Sequence, residues 1–210
     1  MPVQERREER KKQLKEIALQ LFAVNSYEKT RVSNIVKLAG LSQGSFYWYF
    51  ESKEACAIEI LDDGKEQLLK AIEMGYRTER FVIEDAKEST KAMFIRIMNF
   101  AQSKPYLVQI LLKGLHGEPA LQEKILEIKM SIEKQLERNL IQAKQLGVLH
   151  ESIDTQFQAA MIMSLLEGML VRLVFEEYEG KYEIQQQALE DIIKKIVQFE
   201  FFGLFGQQGE

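Results

Sequence analysis

Cysteine is almost missing from this chain of 210 residues: Cys56 stands alone. An internal disulfide framework is therefore excluded. Histidine is nearly as scarce, with only His116 and His150, both expected in loops or at the surface. Neither ends a Glu-x-x-His motif, so the paired motifs of a di-iron helical enzyme are lacking. No nucleophile elbow, Walker loop or zinc spacing occurs either. These absences point away from an enzyme, a resident metal or a cofactor. Proline appears three times and glycine twelve. With Leu, Ile, Glu, Lys and Gln abundant, that scarcity favours an all-α chain. No apolar run reaches the roughly 18 residues that crossing a membrane needs. Residues 5–12 carry charges where a signal peptide needs an apolar stretch. The expectation is a cytoplasmic protein that does not enter membranes.

What is present is a globular composition, 46% hydrophobic and 29% charged. The net charge of −4 hides an asymmetry. Residues 1–53 hold ten Lys/Arg against six Asp/Glu, a net +4, and the remainder 18 against 26, a net −8. A basic head on an acidic body suits a protein that sets one end on a polyanion. Arg6, Arg7, Arg10, Lys11 and Lys12 are available for phosphates or a minor groove. The bland reading is a solvated helix extension, with Glu8 pairing to Lys11 and Lys12.

The chain is organised around residues 30–53. Val32, Ile35, Val36 and Ala39 have helical apolar spacing, and Gly40 stops that helix. Leu41 packs the turn and Ser42 caps a second helix over residues 42–50. That helix carries Tyr47, Trp48 and Tyr49 in succession, which cannot all face inward. Phe46 and Phe50 are assigned to the core. Two short helices across a tight turn form a helix-turn-helix, whose second helix enters the DNA major groove. Gln43 carries a donor and an acceptor on one amide, matching the edge of adenine.

The combination of Tyr27, Thr30, Val32, Ile35, the turn Ala39-Gly40-Leu41-Ser42, Gly44, Phe46-Tyr47-Trp48-Tyr49-Phe50 and Ser52-Lys53-Glu54 resembles the DNA-binding region of the tetracycline-repressor (TetR) family. The close resemblance covers roughly residues 14–61. It implies a three-helix head over 1–52, with its motif at about 31–50, and a helical ligand-binding and dimerisation domain over 53–210. It also implies that Thr30 approaches a phosphate and Ser33 a base, with Lys37 as a phosphate partner. Arg31 stands where a hydroxyl residue is usual and offers a longer ionic contact; Thr30 is the expected cap. In the reading helix, Ser42 and Tyr47 are expected on phosphates, Gly44 at close approach and Ser45 as an adaptable contact. Trp48 and Tyr49 are expected on thymine methyls or sugars. Ser52 should cap helix four, with Lys53 adding charge at a phosphate. In the family, helix four swings as a pendulum when ligand binds.

About nine helices are expected in all. Helix one covers residues 7–25, with a stripe of Leu14, Ile17, Ala18, Leu21 and Phe22. Asn25 is expected to be the left-handed residue at its end, and Tyr27 to pack the corner. Helix four should run from Ser52 to about residue 76, and helix five over 83–102. Pro105 and Pro119 open helices six and seven. Helix eight is expected over 154–178 and helix nine over 182–202. Ala160, Ser164 and Gly168 form a ridge of small residues on helix eight. With Ile192, Ile196 and Phe199 of helix nine, they are the expected homodimer interface. Flexible apolar residues suggest plain core one by one. Together with the resemblance, Met93, Phe94, Ile97, Phe100, Met130, Phe157 and Met161 become the expected ligand cavity. Glu167 and Arg172 are expected to orient a polar ligand group or to lie at the subunit interface. The overall expectation is a ligand-responsive regulator, a repressor, that binds a palindromic operator in double-stranded DNA as a homodimer. A small-molecule effector, apolar or amphipathic, would release it. A head that binds peptide instead is the remaining alternative.

Overall fold

The computed structural model describes residues 3–74, 82–174 and 188–203. These form nine helices and no strand, the expected all-α architecture: α1 (Val3–Asn25), α2 (Val32–Ala39), α3 (Gln43–Tyr49), α4 (Lys53–Ile72), α5 (Ile83–Ser103), α6 (Pro105–Lys113), α7 (Pro119–Gln145), α8 (Thr155–Val174) and α9 (Leu189–Phe202). The expected ends of helix four at residue 76 and helix eight at 178, and the start of helix nine at 182, lie outside the described residues. No helix among the described residues is long and apolar enough to cross a membrane.

The chain divides into two compact units. One comprises residues 1–67 and 104–129, the other residues 68–103 and 130–210. This division differs from a boundary after residue 52, because α6, most of α4 and the start of α7 pack with the three N-terminal helices.

In the first unit, α1 buries Leu14, Ala18 and Phe22 and leaves Ile17 and Leu21 half-buried. It packs on α2 and α6, and α2 packs on α3. The helix begins at Val3, earlier than the expected residue 7, because its charged first turns extend into solvent. The left-handed residue at its end is Ser26, with φ 70°, and not Asn25. Gly40 takes φ 65° and ends α2 as its lack of Cβ permits. Gly64 matters for packing instead. A Cβ there would meet the methyls of Leu107, so its absence lets α6 lie close on α4. Ion pairs flank α4 within this unit. Lys11 and Lys15 reach Glu59 at 2.7 and 3.0 Å, Lys15 reaches Asp63 at 2.6 Å, and Lys124 of α7 reaches Asp62 at 2.7 Å.

In the second unit, α9 packs on α5 through Ile192, Ile193, Ile196 and Val197, all buried. The end of α4 needs partners for its last carbonyls. Arg96 of α5 donates from Nε to Ala71 O and from Nη2 to Glu73 O, each at 2.9 Å. Asn139 of α7 donates from Nδ2 to Ile72 O at 3.0 Å.

Candidate nucleic-acid interface and a cavity

Ser42 caps α3, its Oγ accepting from the Ser45 N–H at 3.2 Å and lying 2.9 Å from the Ser45 hydroxyl. Phe46 and Phe50 are buried with ring centroids 5.2 Å apart, and they fix the inner side of this short helix. The opposite side is left to solvent. Ser42, Gln43 and Gly44 are exposed, as are Tyr47 at 55% and Trp48 at 61%. Ser45 and Tyr49 are half-buried, and Tyr49 meets Trp48 edge-on at 4.8 Å. Large aromatics normally avoid such exposure unless a partner covers them.

From α2 the exposed side chains are Ser33, Asn34, Lys37 and Leu38, with Arg31 just before it. Arg31 occupies the N-cap, and its N–H donates to Oδ1 of Asn34 at 2.9 Å. The expected cap Thr30 is displaced from that position. Thr30 is only 2% exposed, and its hydroxyl donates to the carbonyls of Ser26 at 2.8 Å and Leu21 at 3.2 Å. A hydroxyl spent inward on two carbonyls has nothing left to donate to a phosphate. Thr30 thus locks the turn after α1, and it leaves the DNA-facing set.

Lys53 is also turned inward. Its ammonium donates to Tyr27 O at 2.8 Å and Thr30 O at 2.9 Å, and it sits 3.8 Å from the centre of the Tyr27 ring. Burial pulls this ammonium below its usual range, against the pull of Glu118 and Glu28. Tyr27 itself is buried at the corner, as expected, and burial pushes its hydroxyl up to about 12. Cys56 is buried, and burial raises its thiol to about 12, so it is an inert packing residue. Ser52 caps α4, accepting from the Ala55 N–H at 2.9 Å. Arg7 is legible in the sequence as a cation, but its placement is not: its guanidinium stacks 4.4 Å from the centre of the Trp48 ring. A positive charge thus joins the exposed face of α3.

The second unit contains a cavity of about 370 Å³. Of the expected ligand residues, only Met93 lines it. Phe94, Ile97 and Phe100 are buried in the surrounding core. Met130, Phe157 and Met161 are exposed on the outer faces of α7 and α8 and do not reach the cavity. The expected interface also changes. Ile192 and Ile196, 3% and 9% exposed, are spent within the chain against α5. Phe199 and Ser164 are exposed, and Ala160 and Gly168 half-buried. Phe157, Met161 and Ser164 continue that outward face of α8. Arg172 lies on this exposed side, its Nη1 donating to Gly168 O at 2.7 Å, and neither it nor Glu167 lines the cavity. Sequence reasoning misses three polar groups of the unit. Arg96 and Asn139 hold the end of α4. Glu200 lines the cavity with Oε2 out of solvent and no hydrogen-bond partner among the described residues. A signal for Glu200 exists: it continues the apolar stripe of Ile192, Ile193, Ile196 and Val197.

Known proteins resemble both parts. The family model for bacterial regulatory proteins of the tetR family matches residues 16–60, which hold the whole of α2 and α3. The fatty acid metabolism regulator protein of Bacillus subtilis is 27% identical over 177 residues, covering 82% of this chain and 86% of the relative. The fatty acid degradation regulator FadR from Bacillus halodurans superposes with a TM-score of 0.76 at 23% identity, over 94% of this chain and 97% of its own. FadR from Bacillus subtilis, determined in complex with stearoyl-CoA, gives a TM-score of 0.70 at 21% identity, over 91% and 98%. These relatives are transcriptional regulators and not enzymes. The match to the head and the all-α architecture of the described residues agree: residues 16–60 form a DNA-binding domain like that of bacterial regulatory proteins of the tetR family, and the chain is similar to DNA-binding transcriptional regulators of that family.

Proposed function

We propose that this regulator acts in the cytoplasm as a homodimeric repressor. Two α3 helices would read a palindromic operator, and a small apolar or amphipathic effector would release them. The observation that carries the DNA reading is the anchored helix α3, with Phe46 and Phe50 buried beneath and Gln43, Tyr47 and Trp48 exposed above. The reading assigns Gln43 to a base edge. Tyr47, Ser42, Lys37, Arg31 and Arg7 go to phosphates, Ser33 to a base, Trp48 and Tyr49 to thymine methyls or sugars, and Gly44 and Ser45 to close approach. Lys53 serves the interface from behind, by fixing the corner on which α2 and α4 begin.

One α3 offers few base contacts, and a two-fold dimer doubles them on half-sites about 34–36 Å apart. The outward face of α8, with Phe157, Met161 and Ser164, is the apolar surface such pairing would cover, joined by Phe199 of α9. The head over residues 1–52 reads DNA, and the remainder binds ligand and dimerises. The cavity supports effector binding, and so does the complex of the similar Bacillus subtilis regulator with an acyl-CoA.

Selection of duplexes from a random pool tests the reading. A recovered palindrome with half-sites one helical turn apart is expected. A protein that stays monomeric at micromolar concentration, or binds every duplex alike, refutes it.

A further inference from the structure

Resting on the effector reading above, we propose that the cavity selects an apolar molecule with a cationic head, a lipophilic amine, whose ammonium is received by the carboxylate of Glu200. The body of the cavity is apolar, with Met93, Leu136, Ile162 and Phe201 in its wall. Its volume of about 370 Å³ falls within the range of small-molecule sites. Among the described residues neither lysine nor arginine lines it, and His150 is the other titratable group of the lining. The ring of His150 is already engaged, with Nδ1 accepting from the Ser152 N–H at 3.2 Å. Glu200 therefore holds a negative charge, or the proton that neutralises it, with no cation among the described residues of the lining to answer it. Burial alone pushes this carboxyl up to about 7.

An unpaired buried carboxylate is costly in a folded protein, and a bound cation removes that cost. An acyl carboxylate brings a second negative charge to the same place and is disfavoured. A neutral alcohol satisfies one lone pair and leaves the charge unanswered. The amine alone matches both the hydrogen-bonding capacity and the charge of Glu200. Its binding ionises the carboxyl, so below neutral pH it expels a proton.

The test uses the full-length protein and three probes with one tail: decylammonium, decanol and decanoate. Calorimetry near pH 7 should find decylammonium bound at least about tenfold tighter than decanol, with decanoate weakest. The isosteric Glu200→Gln should remove the preference for the amine and leave decanol affinity unchanged within about twofold. At about pH 6, the heat of amine binding to the unaltered protein should vary with the ionisation enthalpy of the buffer, as release of close to one proton requires. That dependence should vanish in Glu200→Gln; its persistence in that variant would overturn the assignment of the proton to Glu200. Decanol or decanoate binding as tightly as the amine overturns the proposal and leaves an effector site standing. Absence of binding by all three overturns the proposal and the effector reading together.

Discussion

Lys53→Met separates a structural role from a DNA-binding one at a single position. The ammonium makes two hydrogen bonds to carbonyls, at 2.8 and 2.9 Å, and lies 3.8 Å from the Tyr27 ring centre. Hydrogen bonds from a charged group contribute about 1.5–3 kcal/mol each when well made, and an exposed cation–π contact about 0.5–1 kcal/mol. Two corrections reduce the sum. The ammonium is half-buried, and its lowered pKa, caused first by burial, shows that desolvation already costs part of the gain. Methionine keeps the aliphatic stem and its packing on Tyr27. The net loss expected is about 2 kcal/mol, a fall in Tm of roughly 4–8 °C for a chain of this size. Urea denaturation followed by circular dichroism measures it. A salt series of operator binding supplies the second readout. A residue that clips the corner leaves the slope of log K against log salt unchanged, whereas a phosphate ligand lowers it by about 1. A slope reduced by about 1, with stability lost by under about 0.5 kcal/mol, would refute the reasoning.

Gln43→Ala should cost about 1–3 kcal/mol on the preferred operator and flatten base choice at one position per half-site. Tyr47→Phe should weaken all duplexes alike; gel shifts over single-base operator variants distinguish the two, and an unchanged base profile in Gln43→Ala would undo its assignment. Met161→Asp should yield a folded monomer in sedimentation, since Met161 is exposed and its replacement disturbs no core. A persistent dimer would move the interface elsewhere. Burial alone would raise the Glu59 carboxyl, but the hydrogen bonds from Lys11 and Lys15 overcome it and hold it below its ordinary value. A carboxyl lowered on folding stabilises fully above its unfolded pKa, and that contribution is lost as pH falls through the folded value. Denaturation midpoints at acid pH should therefore fall less in Glu59→Gln than in the unaltered protein.

Periodicity makes the helices legible, and turn chemistry makes the head legible. Ser42, Gly40 and Ser52 sit where their side chains, or the lack of one, decide the backbone locally, and they do so in the structure. Thr30 and Lys53 depart from expectation because their partners are carbonyls, and no sequence pattern records which carbonyls a fold leaves free. The cavity departs from it for a related reason. Phe94, Phe157 and Met161 are equally apolar in sequence, and only the packing decides that the first is buried and the others exposed. Ile192 and Ile196 form a sound apolar stripe, yet a stripe does not say whether the same chain or its copy will cover it. Exposure in the folded chain does discriminate: it takes those two residues out of the candidate interface and leaves the outer face of α8, expected from the sequence through Ala160, Ser164 and Gly168.

An effector changes DNA binding only through unequal affinity for two arrangements of the protein. Moving such an equilibrium from mostly bound to mostly released takes on the order of 5 kcal/mol. The structure offers a visible handle at the cavity. Asn139 lines it and also holds the carbonyl of Ile72, the last residue of α4, whose first residue is Lys53. A ligand that captured the Asn139 amide would leave that buried carbonyl unpaired, at a cost of about 1–3 kcal/mol. That falls short of the requirement by itself. Met93, whose sulfur lies 4.0 Å from the same amide, would have to be repacked as well. Covering apolar surface contributes about 25 cal/mol per Å², so about 100 Å² of buried tail supplies roughly the missing 2.5 kcal/mol. A head group alone is therefore too weak to switch the protein. On the proposed effector reading, apolar bulk would supply the energy for the change, and Glu200 would decide which molecules of sufficient bulk are accepted.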